Sequence, residues 1–179
     1  MEFRKFQKIP RLSRDMVITE KIDGTNAIIG IDEDMDIHAG SRNRWLTLDN
    51  DNYGFCKWVF EHSDDLLKLG PGMHYGEWWG QGIQRRYGLE EKRFSLFNVN
   101  QWTDSGEEGK EQVPECCHVV PILYTGMFST EAIQNVLNKL SKDGSCAAPG
   151  FVKPEGIVIF HTAGGCLFKK TIDNDGGKG

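Results

Sequence analysis

Positive charge is in short supply in this sequence. Its 21 lysines and arginines stand against 26 aspartates and glutamates, a formal net charge of −5. Such a balance argues against holding a polyanion by overall charge, so any nucleic-acid contact has to rest on local clusters. Long apolar runs are lacking too. Nothing approaches the roughly 18 residues of a membrane span, and no charged-then-apolar leader opens the chain, so a cytoplasmic location with no membrane association is expected. Cysteine is scarce: the 5 present, at positions 56, 116, 117, 146 and 166, are odd in number and include no pair at the two-residue spacing of a zinc knuckle. That excludes a disulfide framework and leaves reduced thiols. The 5 histidines, at 38, 62, 74, 118 and 161, show no i, i+4 pair and read as core or surface residues rather than metal ligands. Gly80-Gln81-Gly82-Ile83-Gln84 lacks the lysine and hydroxyl of a phosphate-binding loop, so a cleft rim is its expected role. Repeats and low-complexity segments are absent. The length suits one domain over residues 1–172, with a polar, glycine-rich mobile tail over 173–179.

The cations that are present cluster. Arg4, Lys5, Lys8, Arg11 and Arg14 fall in a basic arm over residues 1–16, and Arg85-Arg86 with Lys92-Arg93 form a second group. Either cluster fits a solvated face or a nucleic-acid contact. In the arm Phe3, Phe6, Ile9 and Leu12 recur every third residue, but Pro10 breaks a helix, so an extended packed segment is expected. Strands are predicted over 17–21, 27–31, 73–78, 93–99, 119–124, 157–161 and 166–172, with a turn at 32–34 leading into a short strand at 36–39. One amphipathic helix is predicted over 52–69 and a second from Ser129-Thr130 to Gly144. Residues 103–112 read as an exposed loop.

The chain is organised around Thr19-Glu20-Lys21-Ile22-Asp23-Gly24-Thr25-Asn26. A lysine at the end of an apolar strand is pointed at something the fold has built, and Asp23-Gly24 supplies a turn that brings backbone close to a phosphate-bearing ligand. An amine attacks only when neutral, a state favoured by desolvation or neighbouring cations. Downstream follow Ser41-Arg42, Tyr75-Gly76-Glu77-Trp78, Leu96-Phe97-Asn98-Val99, Pro154-Glu155-Gly156-Ile157-Val158-Ile159 and Leu167-Phe168-Lys169-Lys170. Glu77, on a strand in apolar surroundings, needs a partner, and a ligand is the natural one.

This ordered series resembles the ATP-dependent RNA ligases, a branch of the covalent nucleotidyltransferase superfamily that includes DNA ligases and mRNA capping enzymes. The resemblance runs from about residue 17 to 171 and is closest to the phage-type RNA ligases, whose third motif likewise reads aromatic, Gly, Glu, Trp. It implies an α+β nucleotidyltransferase (ATP-grasp-like) domain, with antiparallel sheets enclosing the nucleotide and helices packed outside. The chain stops where relatives continue into an oligonucleotide-binding (OB) barrel, so no C-terminal OB domain is expected. The implied reaction uses ATP and Mg²⁺ to load AMP on Lys21. AMP then passes to a 5′-phosphate, and the end is sealed to a 3′-hydroxyl, with RNA ends or a nicked duplex as nucleic-acid partner.

Site roles follow from the same resemblance. Lys169 and Lys170 would stabilise charge on the α-phosphate. Strand alternation keeps them from both facing it, and Lys169 is favoured with Phe168 on the core face. Glu155 would orient the metal, Glu77 the ribose hydroxyls, Asn26 the phosphate or ribose, and Glu20 with its backbone the adenine edge. Phe97 would stack on the adenine, and Arg42 would hold the nucleotide and the nucleic-acid end. Competing expectations are a DNA nick ligase, a GTP-using capping-type enzyme, and a non-catalytic module that binds nucleotides or RNA ends.

Overall fold

Alternating burial along the first strand sets the architecture. In β1 (Asp15–Lys21), Met16, Ile18 and Glu20 point to one side and Val17, Thr19 and Lys21 to the other. The computed structural model describes residues 1–173; of the tail expected over 173–179, residues 174–179 lie outside the described residues. β1 sits inside a four-stranded sheet between β9 (Ile122–Met127) and β10 (Gly156–His161), with β11 (Cys166–Thr171) at one edge, and every pairing is antiparallel.

A second sheet has the order β3-β2-β4-β5-β8, from β2 (Thr25–Ile31), β3 (Ile37–Ser41), β4 (Gly72–Gly80), β5 (Lys92–Leu96) and β8 (Cys117–Val119). It is antiparallel except for the β5–β8 pair. A short ribbon of β6 (Trp102–Thr103) and β7 (Glu111–Gln112) closes the base of the loop expected over 103–112.

Helices cover the outer faces. α1 (Phe55–Glu61) packs Phe55 against Trp78 and Phe94 of the five-stranded sheet, with ring centroids 5.4 Å apart in both pairs. α3 (Thr130–Asp143) lays Leu137 and Leu140 on Met16, Ile18, Ile157 and Ile159. Ser129 caps it by accepting from Ala132 N at 3.2 Å. A third cluster, including Val17, Ile22, Trp79, Tyr87 and Val120, fills the space between the sheets. No helix among the described residues is long and apolar enough to cross a membrane.

Four local expectations are corrected. The single helix predicted over 52–69 is α1, then α2 (Ser63–Leu66), then a 3-10 turn at Leu67–Leu69. Asp51 fixes its later start by accepting from Cys56 N at 2.7 Å, and the break falls at His62, whose Nδ1 lies 2.8 Å from Trp58 O. The strand predicted over 119–124 divides at Pro121: β8 belongs to one sheet and β9 to the other. Proline lacks the N–H a continuous strand needs, while Pro121 O still accepts from Glu20 N at 2.9 Å. The strand predicted over 93–99 ends at Leu96: Phe97 N still donates to Tyr75 O, and the chain then turns, Val99 N donating to Phe97 O at 2.9 Å. The amino-terminal arm is not packed: Phe3, Phe6 and Ile9 are exposed, and Leu12 O accepts from His161 Nε2 at 2.7 Å where the arm meets the domain.

Candidate active site

The facing surfaces of the two sheets enclose a cleft of about 1030 Å³. From the four-stranded sheet its wall takes Thr19, Lys21, Val158 and Lys169, and from the five-stranded sheet Asn26, Tyr75, Glu77 and Phe97. Strand registers account for this set. Lys21 pairs with Gly156, Thr19 with Val158, and Val158 with Lys169, so Lys21 and Lys169 share the cleft face. Asn26 pairs with Glu77, and Phe97 continues the Glu77–Ser95 register beside Tyr75.

Lys21 Nζ donates to Glu155 Oε2 at 2.7 Å, and both side chains are largely withdrawn from solvent. Next to Glu155, Gly156 lets β10 lie close against β11, because a Cβ there would fall 2.2 Å from Lys170 O. Gly24 has a matching role: a Cβ would lie 2.4 Å from Trp78 O, and without one Gly24 N reaches Glu77 Oε1 at 3.0 Å. Asn26 Nδ2 stands 3.5 Å from the other Glu77 oxygen. Burial pushes the Glu77 carboxyl up from 4.5 to about 7, against the Gly24 N–H and Lys21, which pull it down; Glu155 and Asp23 push it further up. The site thus holds an acid poised near neutrality beside a lysine–carboxylate pair.

The RNA ligase family model matches residues 14–171. The chain belongs to the RNA ligase family. Comparison with curated protein sequences gives no match. Among solved structures it is similar to the Naegleria gruberi RNA ligase. A lysine-to-methionine variant with AMP and Mn aligns at TM-score 0.61 and 20% identity, over 89% of this chain and 50% of that one. A glutamate-to-alanine variant with ATP and Mn gives TM-score 0.62 and 21% identity, over 90% and 51%. At such identities the likeness is one of fold, and this chain spans about half the length of those proteins.

Within this family member most of the residues singled out from sequence meet around the cleft. Lys21, Asn26, Arg42, Glu77, Phe97 and Lys169 line it, and Glu155 reaches it through Lys21. Phe97 is 41% exposed on the cleft wall. Two assignments change. The Glu20 side chain does not face the cleft. It is 1% exposed and accepts from Ser145 Oγ at 2.6 Å, Cys146 N at 2.7 Å and Ala147 N at 2.9 Å, so its carboxylate is committed to the 145–147 loop. Lys170 pairs with Ile157 and lies on the sheet face opposite Lys169, away from the cleft wall. The reason given for preferring Lys169 also fails in part, since Phe168 is 55% exposed rather than core.

Arg85 and Tyr87 escaped the sequence reading. Arg85 stands there in a basic group that fits a solvated face or a nucleic-acid contact; in the fold its Nε holds Asp23 Oδ2 at 3.0 Å, and its Nη1 holds Lys153 O at 2.9 Å and Pro154 O at 3.3 Å. Tyr87 Oη accepts from Asp23 N at 2.8 Å, and burial keeps its phenol protonated well above the usual range. Together they clasp the turn after Lys21 to the loop before Glu155. Gln84, Arg86 and Tyr87 all take positive φ, of 42°, 59° and 51°, and that tight coil brings both side chains inward. A Gly-Gln-Gly opening was the available signal, but it gives no direction.

Proposed function

We propose that this domain carries out ATP-dependent RNA ligation through a lysyl-AMP intermediate. The observation that carries the reading is Lys21 Nζ at 2.7 Å from Glu155 Oε2 on the wall of a cleft that also presents Glu77, Phe97 and Lys169. A surface lysine would have no need of such a setting. The Tyr75-Gly76-Glu77-Trp78 spelling supports the phage-type branch of the family. Phe97 offers a face to adenine, a stack worth roughly 1–3 kcal/mol. Glu77 and Asn26 supply hydrogen-bonding groups for the ribose, and Arg42 and Lys169 the charge for phosphate.

The neutral Lys21 amine attacks the α-phosphorus, the bond to pyrophosphate breaks, and a phosphorus–nitrogen bond forms. The new phosphoramidate nitrogen gives up a proton, for which Glu155 is the acceptor within reach. Lys169 stabilises charge on the non-bridging oxygens. AMP then passes to a 5′-phosphate on RNA and leaves when a 3′-hydroxyl attacks.

Solved relatives carry ATP or AMP with Mn, and a divalent metal, Mg²⁺ in the cell, suits this cleft. Burial holds the Glu77 proton near neutrality, with a smaller push from Glu155 and Asp23, and a cation beside these carboxylates would favour releasing it. No three Asp, Glu, His or Cys side chains form a cage among the described residues, so the ion would rest on Glu155 and substrate oxygens, the manner of Mg²⁺. When bound it would neutralise the triphosphate and orient the leaving pyrophosphate.

Incubation with α-labelled ATP and Mg²⁺ followed by denaturing electrophoresis tests the proposal. An acid-labile, base-stable adduct should form and should vanish in Lys21→Ala. Labelling that survives this substitution, or label taken from GTP in preference to ATP, would overturn it.

A further inference from the structure

Two glycines lie in the strands next to the cleft where backbone conformation does not call for them. Neither Gly30 in β2 nor Gly40 in β3 adopts positive φ. What excludes a side chain at both is Trp45: a Cβ on Gly30 would fall 2.7 Å from its Cη2, and one on Gly40 3.1 Å from its Cε3. The indole therefore rests directly on the sheet backbone. Its placement is fixed by the turn before it, where Gly40 bridges to Trp45, Ser41 N donates to Arg44 O at 2.8 Å, and Arg44 Nη1 donates to Asn50 O at 2.8 Å.

The face on which it rests is the cleft face. Gly30 pairs with Met73, whose Sδ is 3.4 Å from the same Cβ position, and Met73 and Tyr75 both line the cleft. Seated this firmly, Trp45 is nevertheless 53% exposed, as is Tyr75. Core packing explains a buried indole, and chance an exposed indole on a loose loop; neither explains one held rigidly on one side and bare on the other. Arg42 and Arg44 occupy the same turn. The nearby acid, Asp32, lies 3.6 Å from His38 Nε2, and the His38 ring stands 5.7 Å from the indole.

We propose that Trp45 is a stacking platform for a base of the RNA strand, distinct from the adenine place beside Phe97. This rests on the ligase reading and adds to it where the strand runs: out of the nucleotide cleft, past Tyr75 and Met73, to Trp45, with its phosphates near Arg42 and Arg44. A half-exposed aromatic face, with Arg44 Nη1 3.4 Å from Trp45 O and Arg42 on the cleft wall, matches a base and its phosphodiester. Stacking accepts any base, because each has a π-face, so the platform sets strand path rather than sequence.

The test measures binding of a 5′-phosphorylated, fluorescein-labelled single-stranded RNA by anisotropy, using the full chain, with adenylylation of the parent followed alongside. Trp45→Ala should weaken RNA binding by roughly 5- to 150-fold, the range expected for one base stack, while Trp45→Phe should recover most of it. Gly30→Ala, which displaces the indole but keeps it, should give part of the loss. A cooperative melt like the parent's shows that each variant is folded. An abasic site at the stacked nucleotide should weaken the parent as much as Trp45→Ala does and leave that variant unchanged. RNA binding untouched by Trp45→Ala, with the parent adenylylating normally, would leave the platform to a protein partner and overturn the assignment while the ligase reading stands. So would an equal Trp45→Ala loss against every abasic RNA. A parent that neither adenylylates nor binds RNA would overturn both.

Discussion

Glu20 is where the family resemblance and the geometry make opposite forecasts, so its removal is the most informative perturbation. If it met the adenine edge, Glu20→Ala would raise the ATP concentration needed for adduct formation and leave stability alone. In the fold its carboxylate accepts from Ser145 Oγ, Cys146 N and Ala147 N, and Ser145 Oγ in turn accepts from Ala148 N at 3.0 Å. Hydrogen bonds to a charged group contribute roughly 1.5–3 kcal/mol each. Cys146 is exposed, so water can replace part of what is lost, and about 4 kcal/mol for the set is reasonable. Against a total stability of about 5–15 kcal/mol that is a large share. With a urea slope of about 2 kcal/mol per molar, the unfolding midpoint should fall by about 2 M. Glu20→Gln keeps one acceptor oxygen for the two backbone N–H groups and can donate to the serine hydroxyl, so its loss should be about 1–2 kcal/mol. Urea unfolding followed by tryptophan fluorescence, with adduct formation titrated against ATP, reads both quantities. An unchanged midpoint in Glu20→Ala together with weakened ATP use would return Glu20 to the adenine edge and refute the reasoning.

Glu77 gives a pH prediction. Its carboxyl is raised from 4.5 to about 7, so its contribution to stability is fully present below pH 4.5 and is lost as pH rises through 7, a change of about 3 kcal/mol. Melting measured across that window should show the decline, and Glu77→Gln should flatten it; equal slopes in the two proteins would count against the assignment. Arg85→Lys cannot hold Asp23 and the two carbonyls at once, so adenylylation should fall about ten- to a hundredfold with the protein still folded, whereas Arg86→Lys should change little. Wild-type rates in Arg85→Lys would show that the clasp does not position Lys21. Glu155→Ala should cut adduct formation about a hundredfold or more, and excess Mg²⁺ should recover little of it. Wild-type labelling in this variant, or in the presence of a strong chelator, would remove Glu155 from the site.

Residue order alone marked the strands that carry the site and which of their residues carry chemistry. The period-two pattern around Lys21 fixes which side chains share a face, and the apolar run at Ile157–Ile159 marks a strand, in which Ile157 and Ile159 face the core and Val158 the cleft. Those are local properties, and Lys21, Glu77, Phe97 and Lys169 were legible from them together with the family spelling. The tertiary structure decided what faced what. Alternation says that Lys169 and Lys170 diverge, but the pairing of Val158 with Lys169 is what places Lys169 in the cleft. Glu20 sits beside Lys21 in sequence and on the opposite face in space, so its partners are 125 and more residues away, beyond the reach of any local pattern. The same holds for Arg85, a surface cation by spacing, whose ties to Asp23 and to the carbonyls of Lys153 and Pro154 exist only after the glycine-rich coil has folded inward. Pro121 was visible as a proline, but its role as the crossing between sheets was not, because a strand's sheet is chosen by long-range pairing. Trp45 is the extreme case: nothing near it in sequence distinguishes a seated indole from a stray one, since the glycines that seat it belong to two other strands brought together by the fold.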